Sequence, residues 1–213
     1  MATNPGRSNS VQIAVFAKAP QPGSTKTRLV PALGAAGAAR LQRQLTLNAL
    51  QLAKRFAPER VTLWCAPDTR HRFFRALNIH CGIQVCGQSG VDLGDRMAHA
   101  FAVSAGPTLL IGTDCPTLAV EHLEAAARLL CDGRDAVFIP AEDGGYVLVG
   151  LRTPQPRLFE DIDWGSERVM AQTRKRLIEL GLSWGEPATL WDVDRPADLE
   201  RLASIAGFSR WAP

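Results

Sequence analysis

The sequence predicts one α/β domain in which helices cover both faces of a mostly parallel sheet, a three-layer α/β/α arrangement. Short, continuously apolar segments alternate with longer segments whose apolar residues recur every three or four positions. Strands without a polar face are typical of sheets that are buried on both sides. With 213 residues, 46% of them apolar, the chain can build one core. We assign this domain to residues 11–213 and predict a disordered tail over the polar residues 1–10.

The strands are predicted from short apolar runs that end at turn-forming residues. Such runs are too short for helices and lack the helical periodicity. In chain order the predicted strands are Val11–Ala17, Arg60–Cys65, Ile83–Cys86, Thr108–Gly112, Ala136–Pro140, Tyr146–Leu151 and Ala188–Trp191.

The helices are predicted from apolar periodicity. In the longest, Ala35–Phe56, the residues Leu41, Leu45 and Leu52 fall on one face. Hydroxyl side chains at Thr117 and Ser166 are expected to cap two later helices, because they can accept hydrogen bonds from unpaired N–H groups. The other predicted helices are Arg70–Leu77, Asp92–Ser104, Thr117–Leu130, Glu167–Leu180 and Pro196–Ala206.

Composition argues against several classes of function. The net charge is +3 and no run of five Lys or Arg occurs, so we expect no nucleic-acid partner. No apolar stretch approaches the ~18–20 residues of a membrane span, and the polar N-terminus does not resemble a signal peptide. The five cysteines form no CxxC pair, and several lie beside apolar runs, which favours buried thiols in a reducing cytoplasm. The oligomeric state stays open.

A loop with three cations follows the first predicted strand. Lys18, Lys26 and Arg28 are its cations, and Pro20 and Gly23 punctuate it. In open α/β sheets, ligands bind beyond the carboxyl ends of the strands, where this loop begins. It is not a phosphate-binding P-loop, because the residue before Lys26 is not glycine. We predict that these five residues bind the phosphates of a nucleotide, and that Lys26 also takes part in catalysis.

Asp114 emerges at the carboxyl end of another predicted strand, in the segment Gly112–Pro116. Mg²⁺ typically takes one or two protein carboxylates and completes its coordination with phosphate oxygens and water. Asp114 is therefore predicted as a ligand of Mg²⁺ or Mn²⁺ and as a catalytic residue. The alternative is that it only stabilises a turn.

Two further acidic segments lie later in the chain. Asp143 precedes two glycines and is predicted as a catalytic residue that bonds a substrate hydroxyl, with a plain hairpin turn as the alternative. Asp192 and Asp194 should point to opposite sides of an extended segment, so only one should face the crevice of Asp114. Asp194 is predicted as the second metal ligand, with capping of the helix near Pro196 as the alternative.

Four motifs together resemble the bacterial glycosyltransferase-A-like (GT-A) proteins known as selenodomain-associated transferase 1. Their patterns FAKAPxPGxxKTRL, GTDCPxL, DGGYxLxGL and DVDxPxDL stand here, in the same order, at Phe16–Leu29, Gly112–Leu118, Asp143–Leu151 and Asp192–Leu199. The 2-phospho-lactate guanylyltransferases are similar more distantly. The glycine-rich loop LAGGxSxRxGxDK of many nucleotidyltransferases is absent from the sequence.

The resemblance implies the nucleotide-diphospho-sugar transferase fold and a metal-dependent transferase. The expected partners are a nucleotide or nucleotide-sugar donor and a small-molecule acceptor. Asp114 matches the principal metal carboxylate of the family, Asp194 a second one, and Asp143 would face the acceptor or the sugar. Two alternatives remain: a nucleotidyltransferase that couples an NTP to a small phosphorylated acceptor, and a catalytically inactive nucleotide-binding accessory protein.

Overall fold

A seven-stranded sheet forms the middle layer of the computed structural model, which describes residues 11–211. The strand order is β3-β2-β1-β4-β6-β5-β7. All neighbouring pairs are parallel except that β6 runs antiparallel to both β4 and β5. The predicted α/β fold with a mostly parallel sheet is confirmed, whereas the predicted tail over 1–10 lies outside the described residues. The strands are β1 Gln12–Lys18, β2 Val61–Ala66, β3 Gln84–Gly87, β4 Thr108–Ile111, β5 Ala136–Pro140, β6 Tyr146–Leu151 and β7 Trp184–Gly185.

Helices cover both faces of the sheet because alternate strand residues point to opposite sides. Ile13 and Val15 of β1 pack in a core with α1, α2 and α4, and Ala14 and Phe16 pack in a second core with α3 and α5. A third cluster joins α1 to α6 and the C-terminal segment. The helices are α1 Val30–Phe56 (interrupted at Gly34, φ 68°), α2 Arg72–Cys81, α3 Leu93–Ala102, α4 Val120–Cys131, α5 Val169–Glu179 and α6 Asp198–Ala203.

Along residues 11–211, none of the helices has the length and apolar character that a membrane crossing requires. Cys65 and Cys115 are buried thiols, as predicted, but Cys81 is exposed.

Three local predictions are wrong. Thr117 does not cap α4, which begins at Val120, where the His122 ring accepts a hydrogen bond from the N–H of Ala119 at 3.0 Å. The predicted start of α5 is also wrong, since the helix begins at Val169, although the Ser166 hydroxyl does accept a hydrogen bond from the N–H of Arg168 at 3.2 Å.

The last strand is also misplaced, since β7 is Trp184–Gly185 and the predicted segment Ala188–Trp191 contributes only a bridge between Leu190 and Ala141. Pro187 lies between these segments and has no N–H to donate to a ladder, which accounts for the interruption.

The topology gathers several loops at one edge of the sheet. The carboxyl ends of β1 and β4 are neighbours because these strands pair in parallel. Since β6 is antiparallel to β4 and β5, the turn between β5 and β6 lies at the same edge. The segments that carry the predicted site residues therefore begin or turn there.

A substitution at Gly150 in β6 tests how tightly the centre of the sheet is packed. A Cβ added there would come within 2.5 Å of both Leu109 and Val137, and within 3.2 Å of Leu130. We expect Gly150→Ala to lower the free energy of unfolding by about 1–3 kcal/mol, measured by urea denaturation. Gly87→Ala is the control, because a Cβ at that position has no neighbour within 4 Å. Equal denaturation midpoints for the two variants would contradict the prediction.

Candidate functional site

A cleft of about 480 Å³ opens at the carboxyl ends of β1 and β4, and we call it the donor-side cleft. The structure brings five predicted residues together here, and Pro20 and Gly23 are not among the lining residues. Gly23 instead turns the loop with a positive φ of 79°. The charged side chains that line this cleft are Lys18, Lys26, Arg28, Asp114 and Asp194, with Gln42, Gln88 and Thr113 beside them.

The ammonium group of Lys26 connects three segments that are distant in sequence. Its Nζ lies 2.9 Å from Oδ2 of Asp114 and donates a hydrogen bond to the backbone carbonyl of Val193. The Lys26 side chain is only 3% exposed, whereas that of Asp114 is 45% exposed. Lys26 itself has a left-handed backbone (φ 48°), which turns the loop into the short 3-10 helix Thr27–Leu29. The buried cation therefore connects the loop after β1 to the segment that carries Asp114 and to the segment that carries Asp194.

A buried polar network supports Asp114 from behind. The Thr113 hydroxyl donates to Oδ1 of Asp114 at 3.1 Å, and the amide of Gln42 in α1 donates to Thr113 at 2.9 Å. The side-chain oxygen of Gln42 accepts from Thr25 at 3.3 Å. The backbone carbonyl of Asp114 accepts from the N–H of Val193 at 2.8 Å. Gln42 was missed by the sequence analysis, and its only signal is a polar residue on the apolar face of a helix.

Arg28 and Asp194 form an ion pair at the mouth of the donor-side cleft. Their side chains are 60% and 37% exposed. The hydrogen bond that Arg28 donates to Asp194, and then the negative charge of that carboxylate, raise the pKa of Arg28. Asp194 does not cap the following helix. Instead the carboxylate of Asp198 accepts from the N–H groups of Asp194 and Arg195, at 2.9 and 2.6 Å. The capping alternative for Asp194 is therefore wrong.

A larger concavity of about 860 Å³ adjoins the first, and we call it the second cleft. Arg28 and Asp194 line both, so their ion pair lies on the boundary between the two. The second cleft is rich in charge. Its charged lining residues are Arg28, Glu142, Asp143, Glu167, Arg168, Asp192, Asp194, Arg195, Asp198 and Arg201, with Trp191 as an aromatic wall.

Asp143 lies in the turn between β5 and β6, at the edge of the second cleft. Its Oδ1 accepts from the N–H of Gly145 at 2.9 Å, so the hairpin role is present, and its other oxygen has no hydrogen bond to residues 11–211. Gly144 has φ 91°, and an added Cβ would lie 2.0 Å from the carbonyl oxygen of Glu167. The N–H of Met170 donates to the Gly144 carbonyl at 2.8 Å, which fixes this turn against the start of α5.

Asp192 and Asp194 both line the second cleft, but only Asp194 also lines the cleft of Asp114, as expected. Both can line the second cleft because strict alternation applies to regular strands, and residues 191–194 form none. Burial raises the pKa of Asp192 to about 6, and the negative charges of Asp143 and Asp114 add to this effect. Asp192 has no hydrogen bond or ion pair within the described part of the chain. Negative charge is therefore in excess where the two clefts meet.

The donor chemistry at this junction fits a hard divalent cation that arrives with a phosphate. Asp114 and Asp194 offer partly exposed carboxylates to one cleft, and Mg²⁺ needs only one or two of these. Within residues 11–211, no group of three or more His, Cys, Asp or Glu is arranged to hold a metal by itself. Further ligands would therefore have to come from the substrate and water.

Together, the fold and the residues at its carboxyl edge define a protein of the nucleotide-diphospho-sugar transferase fold. The family model described as "Uncharacterized protein conserved in bacteria (DUF2064)" matches residues 46–166, more than half of the chain. The chain belongs to this family. No curated protein matches it.

Solved structures confirm the resemblance to GT-A-like proteins. A "putative nucleotide-diphospho-sugar transferase" from Desulfovibrio desulfuricans G20 is 30% identical, with a TM-score of 0.81 over 94% of this chain and 90% of that chain. A nucleotidyl transferase from Methanothermobacter is 12% identical (TM-score 0.56, 95% and 99% covered). The CMP:2-keto-3-deoxy-manno-octonic acid synthetase complexed with CTP is 14% identical (TM-score 0.54, 90% and 95%). The last two similarities concern the fold alone.

The contact between Lys26 and Asp114 can be measured by a double-mutant cycle. We expect Lys26→Met and Asp114→Asn to show a coupling free energy of about 1–2 kcal/mol in urea denaturation, because the ammonium is buried. The exposed pair Arg28→Ala and Asp194→Asn is the control and should couple by less than about 1 kcal/mol. Additive effects at the buried pair would contradict the geometry described here.

The raised pKa of Asp192 predicts a pH dependence of stability. Its folded-state pKa of about 6 exceeds the ordinary aspartate value of 3.8, so the folded protein binds this proton more tightly. The resulting stabilisation is present below about pH 4 and is lost as pH rises through 6. In chelator-containing buffer we expect the wild type to lose on the order of 1–2 kcal/mol relative to Asp192→Asn between pH 4 and 7. Glu59→Gln, an exposed control, should track the wild type, and parallel curves for all three proteins would refute the assignment.

Proposed function

We propose that this protein is a metal-dependent transferase that uses a nucleotide-activated donor, in the manner of a nucleotide-diphospho-sugar glycosyltransferase. The observation that supports this most directly is the junction of cations and carboxylates at the carboxyl edge of β1 and β4. The 30% identity to the Desulfovibrio protein, which extends over most of both chains, points to the same class.

The donor-side cleft suits the phosphates of the donor. Lys18 and Arg28 are exposed cations at its rim, and a phosphate can replace the exposed Asp194 carboxylate as the partner of Arg28 at little cost. Asp114 and Asp194 would hold Mg²⁺ or Mn²⁺, which when bound supplies charge neutralisation for a departing diphosphate. Lys26 holds the Asp114 carboxylate in place, and its fixed positive charge contributes to the same stabilisation.

The second cleft suits the acceptor. Asp143 keeps one carboxylate oxygen available, and Asp192 lies beside it, so both can accept hydrogen bonds from acceptor hydroxyls. Six carboxylates and four arginines line the second cleft, and this surplus of negative charge disfavours an acceptor phosphate. We therefore propose transfer to a hydroxyl-bearing small molecule rather than to a phosphorylated one. This separates the proposal from the nucleotidyltransferase alternative.

The accessory-protein alternative explains less of the structure. A protein that only binds nucleotides has no need for a second large cleft that shares an ion pair with the first. We place the reaction in the cytoplasm, which the buried thiols of Cys65 and Cys115 favour.

A thermal-shift screen tests the proposal directly. Nucleoside triphosphates and nucleotide sugars are added with and without Mg²⁺ or Mn²⁺, and a ligand at ~100-fold its Kd should stabilise the fold by about 2.7 kcal/mol. We expect the largest shift from a nucleotide sugar with a metal. Asp114→Asn should remove the metal-dependent part of the shift and lower turnover on the order of 10²-fold or more. Asp68→Asn, which alters an acidic residue outside both clefts, should behave as the wild type.

The identity of the released product distinguishes the two transfer reactions. Nucleoside diphosphate is expected from glycosyl transfer, and pyrophosphate would instead support the nucleotidyltransferase. Metal-dependent binding without turnover across a broad acceptor panel would support the accessory protein. Full turnover in Asp114→Asn would overturn the assigned role of that residue.

A further inference from the structure

A third concavity, of about 430 Å³, lies on α1 and shares no lining residue with either cleft. Arg40, Arg43, Gln44 and Leu47 line it from one face of the helix, because they are spaced by three and four positions. The C-terminal 3-10 helix Ser209–Trp211 packs across this face and adds Arg210 and Trp211. We call this concavity the arginine pocket.

The C-terminal wall of the arginine pocket is fixed by Gln44. Its side-chain oxygen accepts hydrogen bonds from the indole of Trp211, at 2.8 Å, and from Arg210. Its amide donates to the carbonyl of Gly207 at 2.6 Å. The Arg210 guanidinium also lies over the Trp211 ring, 5.2 Å from its centroid. The position of this cation is therefore set by both a hydrogen bond and an aromatic surface.

The other two arginines have no acidic partner among residues 11–211. The Arg43 guanidinium lies over the ring of Phe73 at 5.7 Å, and Arg40 makes no hydrogen bond or ion pair within the same residues. No carboxylate lines the pocket. Like charges three positions apart on a helix repel each other, so this arrangement costs stability. Contact with an aromatic face leaves the N–H edges of a guanidinium available to a ligand.

We propose that the arginine pocket binds a small phosphate-bearing anion at a site separate from both clefts. Guanidinium groups are planar forks that pair with two oxygens of a phosphate at once, and three arginines line this pocket. The volume lies within the range of small-molecule sites, about 300–1,000 Å³. The chemical class of ligand is a pyrophosphate or phosphate ester. This proposal stands whether or not the transferase function is correct.

Isothermal titration calorimetry with pyrophosphate, at low ionic strength and without divalent cations, tests the proposal. We expect the Arg40→Ala/Arg43→Ala double variant to weaken one class of pyrophosphate sites at least about tenfold. Arg28→Ala, which alters the donor-side cleft, should retain that class of sites. Arg55→Ala is the matched control, since Arg55 is exposed on the same helix but lies outside the pocket.

The variant Arg43→Lys distinguishes the contribution of guanidinium geometry to pyrophosphate binding from that of positive charge, because it keeps the charge but loses the planar fork. The proposal expects this variant to bind pyrophosphate more weakly than the wild type. Both altered arginines are exposed, so the melting temperature without phosphate should not fall and will verify that the variants are folded. Equal losses in Arg55→Ala, or unchanged binding in the double variant, would overturn the proposal. The proposal would also be overturned if the protein bound vesicles with anionic headgroups but did not bind pyrophosphate.

Discussion

The buried ammonium of Lys26 is the contact on which the geometry of the site depends. It joins the loop after β1 to the carboxylate of Asp114 and to the backbone of Val193, across 88 and 167 positions of sequence. A cation with an exposed fraction of only 3% must have partners that compensate its lost hydration. Those partners belong to the segments that carry Asp114 and Asp194. The need to compensate the charge of Lys26 therefore also fixes where these two segments lie.

More than one carboxylate lies near this cation, so the junction of the two clefts carries an excess of negative charge. The Asp192 side chain shows the consequence, because burial and the nearby Asp143 and Asp114 raise its pKa to about 6. A stable fold gains nothing from such crowding, which makes it typical of a site that receives a cation or a proton. The parallel sheet makes the crowding possible, because it delivers the ends of β1, β4 and β5 to one edge.

Most of the sheet could be predicted from the sequence, because a strand such as β5 is a continuous apolar run with defined ends. The predicted bounds of β5 agree with the structure. The sequence placed Lys26, Arg28 and Asp114 after the ends of predicted strands, and the structure makes them neighbours because the carboxyl ends of β1 and β4 meet. The sequence could not predict the role of Gln42, which depends on how α1 packs behind Thr113. Such contacts depend on tertiary packing, which local pattern and motif spacing do not encode.

The two ion pairs of the donor-side cleft differ in a way that divides their roles. Lys26 and Asp114 form a contact whose cation is buried, and separating them would leave the ammonium with the Val193 carbonyl but without an opposite charge. Arg28 and Asp194 are both well exposed, where an ion pair contributes about 0–1 kcal/mol. In the reaction that we propose, an incoming phosphate would therefore take over Arg28 and release the Asp194 carboxylate toward a cation, while Lys26 stays in place. Under this proposal the weak pair on the boundary between the clefts is the one that substrate rearranges, and the strong pair behind it keeps the site assembled during that exchange.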